Sequence, residues 1–187
     1  MGTRRRHSRT CARAFTLVEV ICTISILAVV GVLASRLVFT ASDQYLAAAS
    51  RSAIGAELAS TMERIATEVR QIPAKAGVSP TEANLGAISA SSLAWTDASA
   101  VSRVLALSGT NLTMTEGAST FVLLSNVTAF SVQAYDQSNI ALAASLASGA
   151  TAAVRRLEIT ITVSRSGQSE SLRSRLFLRC TVEGGAP

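Results

Sequence analysis

One carboxylate stands where membrane chemistry must account for it. Glu19 interrupts an otherwise apolar run, FTLVEVICTISILAVVGVL, that covers residues 15–33. A carboxylate inside such a run costs about 2.5–3.5 kcal/mol on insertion scales, so its retention implies a use. The plainer alternative is a stray acid tolerated near the membrane interface. Little else in the chain has the makings of a reactive site. His7 is the single histidine and lies before the run, so the remainder has no His-based triad, Cys–His dyad or His-ligated zinc. Glu116, Asp136, Glu158, Glu170 and Glu183 are scattered, without the oxygen-rich spacing of a calcium loop. No phosphate-binding G-x-x-x-x-G-K-[ST] and no C-x-x-C occurs. We therefore expect no catalytic residue, no metal, no cofactor, no small-molecule substrate and no enzymatic activity.

Charge points the same way. Seventeen basic residues against twelve acidic ones give a formal +5, which would ordinarily raise nucleic acid as a partner. Arg4, Arg5, Arg6, Arg9 and Arg13 all precede Phe15, and without those five the count is twelve against twelve. The excess belongs to a targeting segment, and no nucleic acid is expected. Arg155 and Arg156 form an adjacent basic pair, but neighbours in a strand point to opposite faces. Arg173, Arg175 and Arg179 are expected to set charges along one face of the last strand. There they would make a solvated edge or meet an acidic partner surface. Cys11, Cys22 and Cys180 are expected to form no disulfide, since Cys22 sits in the apolar run and Cys180 near the C-terminus.

The apolar run is about 19 residues, close to the ~20 that cross a bilayer as a helix. Arginines before it predict a cytoplasmic N-terminus and an exported remainder. Two further features remain open on these residues alone. Val32-Leu33-Ala34 offers an ordinary signal-peptidase site, which would release a secreted enzyme or binding domain. A plain uncleaved anchor is the other.

Arg13-Ala14-Phe15-Thr16-Leu17-Val18-Glu19 resembles the class III signal of type IV pilins and pseudopilins. The resemblance implies that a prepilin peptidase cuts between Ala14 and Phe15 and N-methylates Phe15, leaving Glu19 as the fifth mature residue. It also implies an assembly role, in which the N-terminal amine of one subunit neutralises Glu19 of its neighbour. Two positions depart from the family pattern. Ala14 stands where Gly is usual before the cut, and Arg36 stands where many pilins have Pro, so no kink is expected there. Further on, residues 123–130, Tyr135-Asp136, residues 154–160 and residues 176–179 resemble the J-type minor pseudopilins of type II secretion. Minor pilins of the PilW kind come next. The partners so implied are other pilin or pseudopilin subunits, the prepilin peptidase and the bacterial inner membrane, with the head periplasmic in a pseudopilus. Type IV pilus and DNA-uptake machines are the alternatives within that class.

The elements that must carry these residues follow from periodicity. Ile54, Leu58, Ile65, Val69 and Ile72 recur on one helical face, with Thr61 and Met62 filling the gap. Glu57, Glu63, Arg64, Glu68 and Arg70 fall on the other sides, where solvation is expected. No proline occurs before Pro73, so one helix is predicted over 15–72. Leu157, Ile159, Ile161 and Val163 alternate with polar residues, Ser166-Gly167 is a turn, and 172–180 is the return strand. Phe130, Val132 and Ala134 mark another strand. Residues 104–107 and 112–115 make a hairpin, and 93–96 is a weaker strand. Residues 73–90 and 137–153 read as connectors. The prediction is an α+β fold, a long helix covering an antiparallel sheet. It divides into a leader (1–14), a transmembrane helix (15–36), its amphipathic continuation (37–72) and a β-rich head (73–187).

Overall fold

The computed structural model describes residues 16–78 and 81–181. Helix α1 runs unbroken over Leu17–Arg70, through Arg36, as expected where no proline interrupts it. The hydroxyl side chains within its apolar stretch bond to the helix backbone. Thr23 donates to the Val20 carbonyl at 2.9 Å, Ser25 to Ile21 at 2.9 Å and Ser35 to Gly31 at 2.8 Å. These polar groups therefore need no water, which suits an apolar surrounding. At the far end Pro73 cannot extend the helix. The last turn tightens, with Ile72 N–H donating to the Val69 carbonyl at 3.3 Å.

The chain divides into two compact units between Leu46 and Ala47. In the first, every described residue is exposed, including Leu17, Ile21, Leu27, Val30 and Leu33. This part of α1 contains a stretch long and apolar enough to cross a membrane.

The second unit is built on the rest of α1. Ile54, Leu58, Thr61, Met62, Ile65, Ala66 and Val69 are buried, the helical face predicted from the spacing. The apolar ones join one cluster with the inward residues of two antiparallel sheets. The first sheet is a five-stranded meander of β1 (Leu85–Ser89), β2 (Ser92–Thr96), β3 (Ser102–Ser108), β4 (Asn111–Glu116) and β5 (Ser119–Leu124). The second contains β6 (Val127–Tyr135), β7 (Arg156–Arg165) and β8 (Gln168–Phe177), in that order. The α+β class therefore holds, with the strands shared between two sheets. They join where Val132 N–H donates to the Ala90 carbonyl at 3.0 Å and Val127 N–H to the Thr110 carbonyl at 2.9 Å.

Turn chemistry fixes the registers. Ser166 (φ 52°) and Gly167 (φ 76°) put two left-handed residues between β7 and β8, the two-residue turn that matches strand twist. From there Arg165 pairs with Gln168 and Leu157 with Leu176. The turn falls where expected, but β8 begins four residues earlier than the expected 172. Its opening residues Gln168-Ser169-Glu170-Ser171 are polar on both faces, so alternation carries no signal there. β1 lies inside the expected connector 73–90, for a similar reason. Its sequence Leu-Gly-Ala-Ile-Ser is poor in strand formers, and its pairing with β2 is bulged between Leu85 and Ile88. The expected excursion 137–153 holds no strand, but it is pinned. Leu146 exchanges backbone bonds with Ile88 at 2.8 and 2.9 Å, and Gln133 Nε2 donates to the Leu142 carbonyl at 2.7 Å.

Candidate functional site

The N-terminus of α1 shows why its residues take these positions. Thr16 precedes the helix as its cap. Glu19 N–H donates to the Thr16 carbonyl at 3.1 Å and to Thr16 Oγ1 at 3.3 Å. Val20 N–H reaches the same carbonyl at 3.3 Å. Thr-x-x-Glu is the spacing of a capping box, in which the threonine oxygen satisfies an otherwise orphaned amide. Glu19 thus lies in the first turn, where the helix dipole favours a negative charge by about 0.3–1 kcal/mol. That gain is smaller than the membrane cost of about 2.5–3.5 kcal/mol, so capping alone does not account for the carboxylate. Ala14 and Phe15, the residues on either side of the expected cut, lie outside the described residues.

Residues 9–35 match the family model described as the prokaryotic N-terminal methylation motif. The chain carries a prepilin-type methylation motif. The match takes in Ala14, Phe15 and Glu19 and ends just short of Arg36. No curated protein matches the chain. With a motif of this type beside one long apolar helix, the N-terminal segment fits a single-pass membrane anchor.

The second unit holds two charged clusters that no sequence pattern announced. In the first, Arg103 at the start of β3 binds three carboxylates. Its Nη1 lies 2.7 Å from Glu68 Oε2, its Nε 3.0 Å from Asp97 Oδ2 and its Nη2 2.6 Å from Glu116 Oε1. Asp97 also accepts from the amides of Ser99 and Val101 at 2.8 and 3.0 Å. The Val101 amide first, and Arg103 with it, hold the Asp97 carboxyl below its usual range. Glu68 was expected to be solvated; instead it ties α1 to the first sheet. Among the described residues no group of His, Cys, Asp or Glu is placed to hold a metal. The cation at this cluster is the Arg103 guanidinium.

In the second cluster the signs reverse. Glu158 on β7 is buried, and its Oε2 accepts from Arg173 Nη2 at 2.6 Å, Arg175 Nη2 at 2.7 Å and Arg175 Nε at 3.1 Å. Burial alone would push this carboxyl up, but the two arginines hold it below its usual range. Arg175 also stacks over the Tyr135 ring at 4.7 Å, and Arg156 over Phe177 at 4.8 Å. Asn139 Oδ1 accepts from Arg156 Nη1 at 3.0 Å and from Arg175 Nη1 at 3.4 Å.

The predicted row of Arg173, Arg175 and Arg179 is therefore corrected in two ways. Arg173 and Arg175 share a face but are anchored on Glu158, and Arg179 leaves the strand for a short 3-10 helix, Arg179–Thr181. The pair at Arg155 and Arg156 does separate. Arg155 donates to the carbonyls of Ala152 and Val154 at 2.6 and 3.1 Å, away from the stack on Phe177. Neither cluster has a local signature. Glu68, Asp97, Arg103 and Glu116 come from four elements, and only the cross-strand register brings Arg103 opposite Glu116.

Proposed function

We propose that this chain is a minor pilin-like subunit, anchored in the bacterial inner membrane with its head in the periplasm and without enzymatic activity. The observation that carries the reading is the methylation motif across Ala14, Phe15 and Glu19 at the start of an unbroken apolar helix. Within that class we favour a J-type pseudopilin of a type II secretion pseudopilus. Support for this comes from the short head segments that resemble that group, residues 123–130, Tyr135-Asp136, 154–160 and 176–179. Assembly would proceed by lateral packing of the exposed aliphatic helix against other subunits. The amine of N-methylated Phe15 on one chain would neutralise Glu19 on another and so fix axial register.

Replacement of Glu19 tests this reading. Glu19→Ala should insert into the membrane at least as well as the native chain, because it removes the charge cost. It should nevertheless fail to co-purify with assembled filaments. Undiminished incorporation of Glu19→Ala would remove the assembly role.

A further inference from the structure

Strand β5 stands at an open edge of the first sheet. Gly117 (φ 59°) and Ala118 make the two-residue turn that leads into it, so Glu116 and Ser119 close the hairpin as a hydrogen-bonded pair. From there the pairs of an antiparallel ladder alternate. Ser119 and Phe121 spend their backbone groups on β4, whereas Thr120 and Val122 turn theirs to the open side. Among the described residues, no backbone bond outside that ladder reaches residues 119–123. The register slips between Leu112 and Thr113, which sets Leu123 off the ladder and bounds the open stretch.

A row of apolar side chains crosses this sheet to that edge and stops. Ile88 pairs with Leu93, Leu93 with Leu105, Leu105 with Met114, and Met114 with Phe121. The first four are at most 3% exposed, but Phe121 is 50% exposed. Val122, on the opposite face, is 57% exposed. Native sheets commonly protect an open edge with charge. The outer edge of the second sheet, β8, has that protection in Glu170, Arg173 and Arg175. No charged residue falls anywhere in 117–135, so β5 lacks it.

We propose that the open edge of β5 takes an extended segment of a different protein as a sixth strand. The amides and carbonyls of Thr120 and Val122 bond to its backbone, and an apolar side chain opposite Phe121 carries the buried row one strand further. Because the edge is uncharged and apolar on both faces, the paired part of the segment is uncharged and rich in β-branched residues. Neither end of this chain fits that description. Residues 1–14 hold five arginines, and residues 182–187 hold Glu183, two glycines and Pro187. That the strand comes from another protein and not a second copy rests on the minor-subunit reading, since the neighbours of a minor subunit are other chains.

The test uses an end-blocked fluorescent nonapeptide of alternating valine and threonine, with a lysine at each end for solubility. It is titrated into the full-length chain in detergent, with micelles in excess over protein. The native chain should bind it saturably by fluorescence anisotropy. Thr120→Pro and Val122→Pro each delete an outward amide that β4 does not use, and each should weaken binding about tenfold or more. Phe121→Thr should weaken it about threefold. By the same alternation from the Arg165–Gln168 pair, Ser171→Pro deletes an outward amide on β8 and should leave binding unchanged. Near-ultraviolet dichroism checks that each variant keeps the native fold. Amide exchange gives a second readout, with Phe121 protected in the free chain and Thr120 and Val122 protected only when the peptide is present. No binding by the native chain, undiminished binding by both β5 proline variants, or an equal loss in Ser171→Pro would each overturn the site. So would self-association of the native chain that Val122→Pro abolishes, because the edge would then hold a second copy. None of these readouts requires peptidase processing. A failure here therefore leaves the methylation-motif reading standing, and a chain that proves unprocessed leaves the peptide result standing.

Discussion

Arg103 Nη1 lies 2.7 Å from Glu68 Oε2, which joins the last turns of α1 to the first sheet by a charge-assisted bond. Glu68 is one helical turn from Arg64 and in the register of the solvent-facing charges, yet its carboxylate is only 25% exposed. Because Asp97 and Glu116 share the same guanidinium, loss of Arg103 would leave three carboxylates facing one another. Arg103→Met should lower the melting temperature of the chain by about 3 °C or more. Thermal melts followed by far-ultraviolet dichroism would check this, and high salt should narrow the difference from native by screening the exposed acids.

Acid should unfold the head by titrating the same anchors. Glu158 and Asp97 have folded values depressed below 4.5 and 3.8, respectively. Their contribution is complete above those ordinary values and is lost as pH falls through the depressed ones. The melting temperature should hold steady from neutrality down to the mid-carboxylate range and then fall. Glu158→Gln should lower the neutral-pH plateau and flatten the decline, since it removes one of the titrating groups. A decline as steep as native in Glu158→Gln would show that other carboxylates govern it.

Core packing makes a sharper demand. Leu157 has no exposed surface, pairs across strands with Ala134 and Leu176, and belongs to the cluster shared with α1. Leu157→Ala should cost about 2–5 kcal/mol, and the neighbouring Ile159→Val only about 0.5–1.5 kcal/mol. Urea unfolding with a common m-value would measure both.

Ala100 holds a left-handed backbone, φ 61°, in the loop that Asp97 closes by accepting from Ser99 and Val101. That conformation costs an L-residue about 1–2 kcal/mol. Ala100→Gly should therefore stabilise the head by up to about 1 kcal/mol, because relief of strain outweighs the greater freedom of the unfolded chain. Ala100→Val should destabilise by about 1 kcal/mol or more. The same denaturation series distinguishes them.

What could be read from the sequence divides by range. Residues 54–69 declared the buried helical face because a period of 3.6 repeats over four turns. Leu157 through Val163 declared β7 because apolar residues alternate with polar ones. Ser166-Gly167 declared its turn by local chemistry. β1 and the start of β8 were hidden because Gly86 and the all-polar Gln168 to Ser171 offer no alternation of apolar and polar residues. The Arg103 and Glu158 clusters were hidden for another reason. Their members meet only through strand register and helix docking, which no local pattern encodes. Glu19 was legible as an anomaly of charge within the apolar run, and the structure adds the Thr16 cap.

A subunit of the proposed kind must be processed at its methylation motif. Intact mass and N-terminal sequencing of the native protein from membrane fractions test it most directly. The expected result is a chain that begins at N-methylated Phe15, lacking residues 1–14 and carrying one added methyl group. A soluble chain that begins near Ser35, or a membrane protein that still begins at Met1, would contradict it.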